Sequence, residues 1–104
     1  MLYIHERTIL SEIINLVKRD ETIEKAILVG SVARQTHLPF SDVDVLLVTK
    51  DVQTTKTKFH EIANDLYLTY CVPISFHYVQ SGTETIAFHK KIIEEGILLW
   101  ERNK

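Results

Sequence analysis

Apolar residues recur along this chain at two different periods. Ile9, Leu10, Ile13, Ile14 and Val17 fall three and four apart, which predicts an amphipathic helix over about residues 5–19, with Lys18 and Arg19 suiting its C-terminal end. Ile23–Val29 then reads as a buried strand, broken by Gly30, and Ser31–Arg34 as the start of a short helix. His37-Leu38-Pro39-Phe40 reads as a loop, because Pro39 forces Leu38 to be extended. A second strand is predicted over Ser41–Thr49, followed by a helix over Thr54–Tyr70 with Phe59, Ile62, Ala63 and Leu66 on one face. Val72–Val79 reads as a third strand, with Pro73 near its start where a strand tolerates it. Ser81-Gly82 predicts a turn, and a last helix runs from Thr83 or Glu84 to Glu95. Gly96 is a stop signal, and Ile97–Trp100 is a short apolar strand or extended tail. Helices alternating with strands predict an α+β (α/β sandwich) fold: a small mixed sheet with helices mainly on one face.

Alternation sharpens this picture. Side chains two apart on a strand share a face, so Asp42 and Asp44 are expected to point the same way, along with Leu46 and Val48. Two adjacent carboxylates repel, and tend to hold a shared proton or a cation. A hard cation such as magnesium takes oxygen ligands and bridges carboxylates to substrate phosphates. Gly30-Ser31, opening a short helix, offers backbone N–H groups and a hydroxyl to an anion. Ser31 reads equally as a helix N-cap, and Arg34 as a solvated charge. On the third strand Val72, Ile74, Phe76 and Tyr78 share the apolar face, leaving Ser75 and His77 on the other. If the second and third strands are neighbours, Ser75 or His77 lies beside the aspartates. Asp51 reads as a solvated loop residue, His37 as a loop residue able to approach a base or phosphate, and Trp100 as a seal on the sheet or part of a partner interface.

Composition changes the picture little. The 104 residues make a single expected domain, 1–104, with 45% hydrophobic and 25% charged residues. A net charge of −2 and a pI near 6.2 give no basic field to recruit nucleic acid. No apolar run approaches the ~20 residues that cross a bilayer, and the N-terminus lacks a signal-peptide layout, so a cytoplasmic location is expected. The single Cys71 fits that compartment and, in apolar surroundings, reads as a buried small residue.

Gly30-Ser31-Val32-Ala33-Arg34, then Ser41-Asp42-Val43-Asp44 with ten residues between Ser31 and Asp42, resembles the DNA polymerase β-like nucleotidyltransferases. The pattern is most similar to the minimal nucleotidyltransferase (MNT) domains that serve as antitoxins beside HEPN-domain RNase toxins. The resemblance implies catalytic and metal-binding roles for Asp42 and Asp44, and nucleotide binding by Gly30, Ser31, Arg34 and Ser41. It also implies Mg2+ as cofactor, ATP as nucleotide substrate, and transfer of AMP to a hydroxyl, such as a tyrosine of a cognate HEPN toxin. Such enzymes add a third carboxylate from a later strand; here that position holds Ser75 or His77, and Glu61 and Asp65 read as solvent-facing helix residues. Gln35 departs from the glycine that often follows the family's arginine. The absent acid keeps a second reading open, a catalytically weak or inactive domain that neutralises its partner by binding alone. A third is a transferase subunit for a small molecule or nucleic acid. A homo-oligomer is compatible with all three.

Overall fold

The computed structural model describes residues 2–39, 41–84 and 86–102; Met1, Phe40 of the predicted loop, Thr85 of the predicted last helix, Asn103 and Lys104 lie outside the described residues. The elements are α1 (Ile4–Lys18), β1 (Ile23–Val29), α2 (Gly30–Arg34), β2 (Val43–Thr49), α3 (Val52–Tyr70), β3 (Ile74–Gln80), α4 (Ala87–Glu95) and β4 (Ile97–Glu101). They build one mixed sheet in the order β3-β2-β1-β4. β1 pairs antiparallel with both β2 and β4, whereas β2 and β3 are parallel. A parallel neighbour needs a crossover, and α3 provides it.

The two central strands are apolar almost throughout because both of their faces are covered. On one face α1 and α3 pack Ile9, Ile13, Val17, Phe59 and Leu66 against Leu28, Val43, Val45, Leu47 and Ile74. Phe76 joins them edge-on to Phe59, with ring centroids 5.1 Å apart, a geometry worth about 0.5–1.5 kcal/mol beyond its buried area. The other face carries a smaller cluster, Ile27, Leu46, Val48 and Val79, beneath Ile92 and Ile93 of α4. The helices thus sit mainly on one face, with α4 alone on the second.

Several local expectations need correction. β2 begins at Val43 rather than Ser41, so Asp42 lies just ahead of the pleat. α3 begins earlier than predicted, because Asp51 is its N-cap rather than a solvated loop acid. The Asp51 carboxylate accepts from Thr54 N–H at 3.2 Å and from the Thr54 hydroxyl at 2.8 Å. These bonds hold its pKa below the usual carboxylate value. α4 begins only at Ala87. Cys71 is exposed rather than buried, sitting at the C-cap of α3 with φ 58°, in the left-handed region. His37 turns away from the predicted site: its Nε2 lies 2.9 Å from the buried Glu6 carboxylate of α1. Trp100 on β4 packs against the main core, with the Arg102 guanidinium 4.7 Å from its ring centroid.

Candidate functional site

The site begins where β1 ends. Gly30 has φ +75°, and a Cβ on it would lie 2.6 Å from Asp44 Oδ2. Both facts demand glycine: the backbone angle disfavours any side chain, and the Asp44 carboxylate fills the space. Asp44 reaches that position because it pairs across the sheet with Val29, the residue before Gly30. On its other side, Asp44 pairs with Ser75 of β3. His77 Nε2 stands 3.1 Å from Asp44 Oδ1. An ionised carboxylate only accepts, so the imidazole donates from Nε2.

The register therefore brings Gly30, Asp44, Ser75 and His77 together, and meets the condition under which Ser75 or His77 lies beside Asp44. Asp42 is exposed and precedes the first residue of β2. Ser31 lies inside the first turn of α2 rather than capping it; Val29 occupies the N-cap position. The Ser31 hydroxyl makes no hydrogen bond among the described residues, whereas its carbonyl accepts from Thr36 N–H. Arg34 is exposed and forms no ion pair among the described residues. Ser41 Oγ accepts from Leu38 N–H at 2.9 Å, which braces the loop and leaves its own hydrogen to donate. Gln35 adopts φ 57° and so makes the same left-handed turn that a glycine would make there.

An open groove of about 580 Å³ runs from this corner. Gly30, Arg34 and His77 border it, Leu46 and Val79 contribute apolar lining, and Lys56, Ile92 and Glu95 also line it. Sequence patterning missed Lys56, Ile92 and Glu95. Ile92 carried a signal, being part of the apolar face of the last helix. Lys56 and Glu95 look like ordinary surface charges until the fold places them. His89, also on the groove, directs Nδ1 to the Thr83 carbonyl at 3.1 Å and so anchors α4 to the preceding turn.

The donor set bears on a metal. Among the described residues no three His, Cys, Asp or Glu side chains converge on one point. The Asp44 carboxylate, with an oxygen packed against a side-chain-free glycine, suits a hard cation that draws its remaining ligands from phosphate and water. Asp44, and Asp42 just ahead of β2, are the carboxylates that would hold it.

Residues 11–104 match the family described as Polymerase beta, Nucleotidyltransferase. The chain belongs to that family. No curated protein matches this nucleotidyltransferase-family domain. Among solved structures it is similar to a Sulfolobus solfataricus protein provisionally assigned as a nucleotidyltransferase, with 22% identity and a TM-score of 0.58 over 96% of this chain and 86% of that one. A toxin-antitoxin structure with AMP-PNP aligns with a TM-score of 0.66 at 19% identity, covering 90% of this chain and 74% of that one. The MntA-HepT toxin-antitoxin aligns with a TM-score of 0.60 at 16% identity, covering 92% and 73%. At these identities the likeness speaks for a shared nucleotidyltransferase fold. No described helix of the domain is long and apolar enough to cross a membrane.

Proposed function

We propose that this chain, a single domain over 1–104, is an MNT-type antitoxin that transfers AMP from ATP to a hydroxyl, a tyrosine of a cognate HEPN RNase toxin being the favoured acceptor. One observation carries the reading: the Asp44 carboxylate is seated on Gly30 and held by His77, at the turn that bears Ser31. The toxin-antitoxin neighbours, one of them with AMP-PNP, support the antitoxin and nucleotide parts. In this reading Asp44 and Asp42 would hold Mg2+, which would supply charge neutralisation and Lewis-acid polarisation to the triphosphate. The Gly30 backbone permits close approach of the β- and γ-phosphates, with Ser31 and Ser41 as hydroxyl donors. Arg34 supplies charge, and can grip phosphate bidentately. His77 fixes the orientation of Asp44. The acceptor oxygen attacks the α-phosphorus in line, and pyrophosphate leaves. The reading puts the protein in the cytoplasm and leaves a homo-oligomer compatible.

A second reading is favoured by β3, which sets Ser75 rather than an acid beside Asp44. In it the domain neutralises its partner by masking, and the nucleotide site is a remnant. Incubation with α-labelled ATP, Mg2+ and the protein encoded beside this one separates the two. Label transfer that disappears in Asp42→Ala and Asp44→Ala supports the enzyme; tight complex formation, without transfer and indifferent to both changes, supports masking. Titration calorimetry adds a direct check. Asp44→Asn is expected to weaken Mg-ATP binding at least about tenfold, roughly 1.4 kcal/mol, while circular dichroism stays unchanged.

A further inference from the structure

β3 leaves the third carboxylate unassigned, and α4 offers one. We propose that Glu95, the last residue of α4, is the general base that takes the proton of the acceptor hydroxyl. The inference rests on the nucleotidyltransferase reading of the Gly30–Asp44 corner.

Glu95 lines the same groove as Gly30, Arg34 and His77. The next residue holds it there: a Cβ on Gly96 would lie 2.5 Å from Ile27 Cγ2, 2.8 Å from the Leu28 carbonyl and 3.1 Å from Val29 Cγ1. Only glycine lets the end of α4 press this closely on the end of β1, and Val29 is the residue paired with Asp44. Glu94 pairs with Lys90 at 3.9 Å, but Glu95 has no ion pair or hydrogen bond among the described residues. A carboxylate at a helix C-terminus also opposes the helix dipole, so local stability does not account for it. Departures of this kind from local electrostatics are expected where a residue serves a ligand. His77 directs Nε2 to Asp44 and so serves to orient that carboxylate.

The step balances. Glu95 accepts the hydroxyl proton, the acceptor oxygen forms a bond to the α-phosphorus, and the bond to the β-phosphate oxygen breaks. Pyrophosphate departs with the electron pair, and the protonated carboxyl returns its proton to water.

The test uses the full chain with Mg-ATP and the protein encoded beside it as acceptor. Glu95→Gln is expected to bind Mg-ATP within about twofold of the parent while transferring label about 10²–10⁴-fold more slowly. Glu95→Asp should regain part of the rate, and Glu95→Ala should regain part of it when formate is added. Parental transfer by Glu95→Gln overturns the inference. So does loss of nucleotide affinity in step with loss of rate, and so does a parent chain that transfers nothing. Asp44→Asn distinguishes the levels: unchanged Mg-ATP affinity in that variant defeats the underlying reading, whereas weakened affinity beside a fully active Glu95→Gln defeats Glu95 alone.

Discussion

Two carboxylate–histidine pairs stand out among the described residues, and their settings differ. Glu6 and His37 meet at 2.9 Å with side chains only 0% and 2% exposed. Asp44 and His77 meet at 3.1 Å with 26% and 53% exposed. In the first pair one oxygen, Glu6 Oε1, also accepts from Tyr3 N–H at 2.9 Å, so the start of α1 is locked to the loop that follows α2. Tyr3 covers the imidazole edge-on, at 5.3 Å between ring centroids. Nothing can reach that carboxylate. In the second pair the histidine holds one oxygen, a bare glycine lies beside the other, and a groove stands open next to both. The same two groups make a structural lock when sealed and an oriented ligand when left at the surface.

The largest expected effect breaks the sealed pair. Glu6→Ala leaves a buried imidazole and the Tyr3 N–H without their acceptor, and should cost about 3–5 kcal/mol in a urea unfolding titration. His77→Ala removes the exposed counterpart and should cost under about 1 kcal/mol by the same measurement. Equal losses in the two variants would erase the distinction. Gly30→Ala comes next. It forces a side chain into φ +75° and against Asp44 Oδ2, for about 1–2 kcal/mol of backbone strain, and calorimetry should show a larger loss in Mg-ATP affinity than in stability. Gln35→Gly is smaller and of opposite sign: relieving φ 57° should raise stability by up to about 1 kcal/mol, leaving nucleotide affinity unchanged. The smallest effect is a pH dependence at Asp51. Its pKa is depressed in the fold by the Thr54 hydroxyl and N–H, so its contribution is present above the usual 3.8 and disappears as pH falls through the lower folded value. The gap in Tm between parent and Asp51→Ala should therefore close in that acid window.

Much of this was legible in the sequence, for identifiable reasons. β1 matched its predicted span, because seven residues bounded by a polar turn and a glycine allow little else. Period-two alternation put Ser75 and His77 on one face of their strand, and the pairing and register that set them beside Asp44 were open. What could not be read depends on partners distant in sequence. His37 looked like a site residue until Glu6, 31 positions earlier, claimed it. Cys71 lies among apolar neighbours in sequence, yet a helix C-cap turns it outward. Lys56 and Glu95 belong to helices whose orientation over the sheet no local pattern reveals. Gln35 shows the converse case, in which a glycine was missing and the turn formed without it.

β3 is at one edge of the sheet, and among the described residues it is bonded to β2 and to no other strand. Ser75 is therefore at the rim of the fold, half-buried and outside the two packed clusters. Exchanges at such a rim typically alter stability by less than about 0.5 kcal/mol. An acid written in at position 75 would stand across from Asp44 without repacking the interior. That makes this corner an inexpensive place to retune the scaffold's reactivity, in the laboratory or over a lineage, while the rest of the molecule stays as it is.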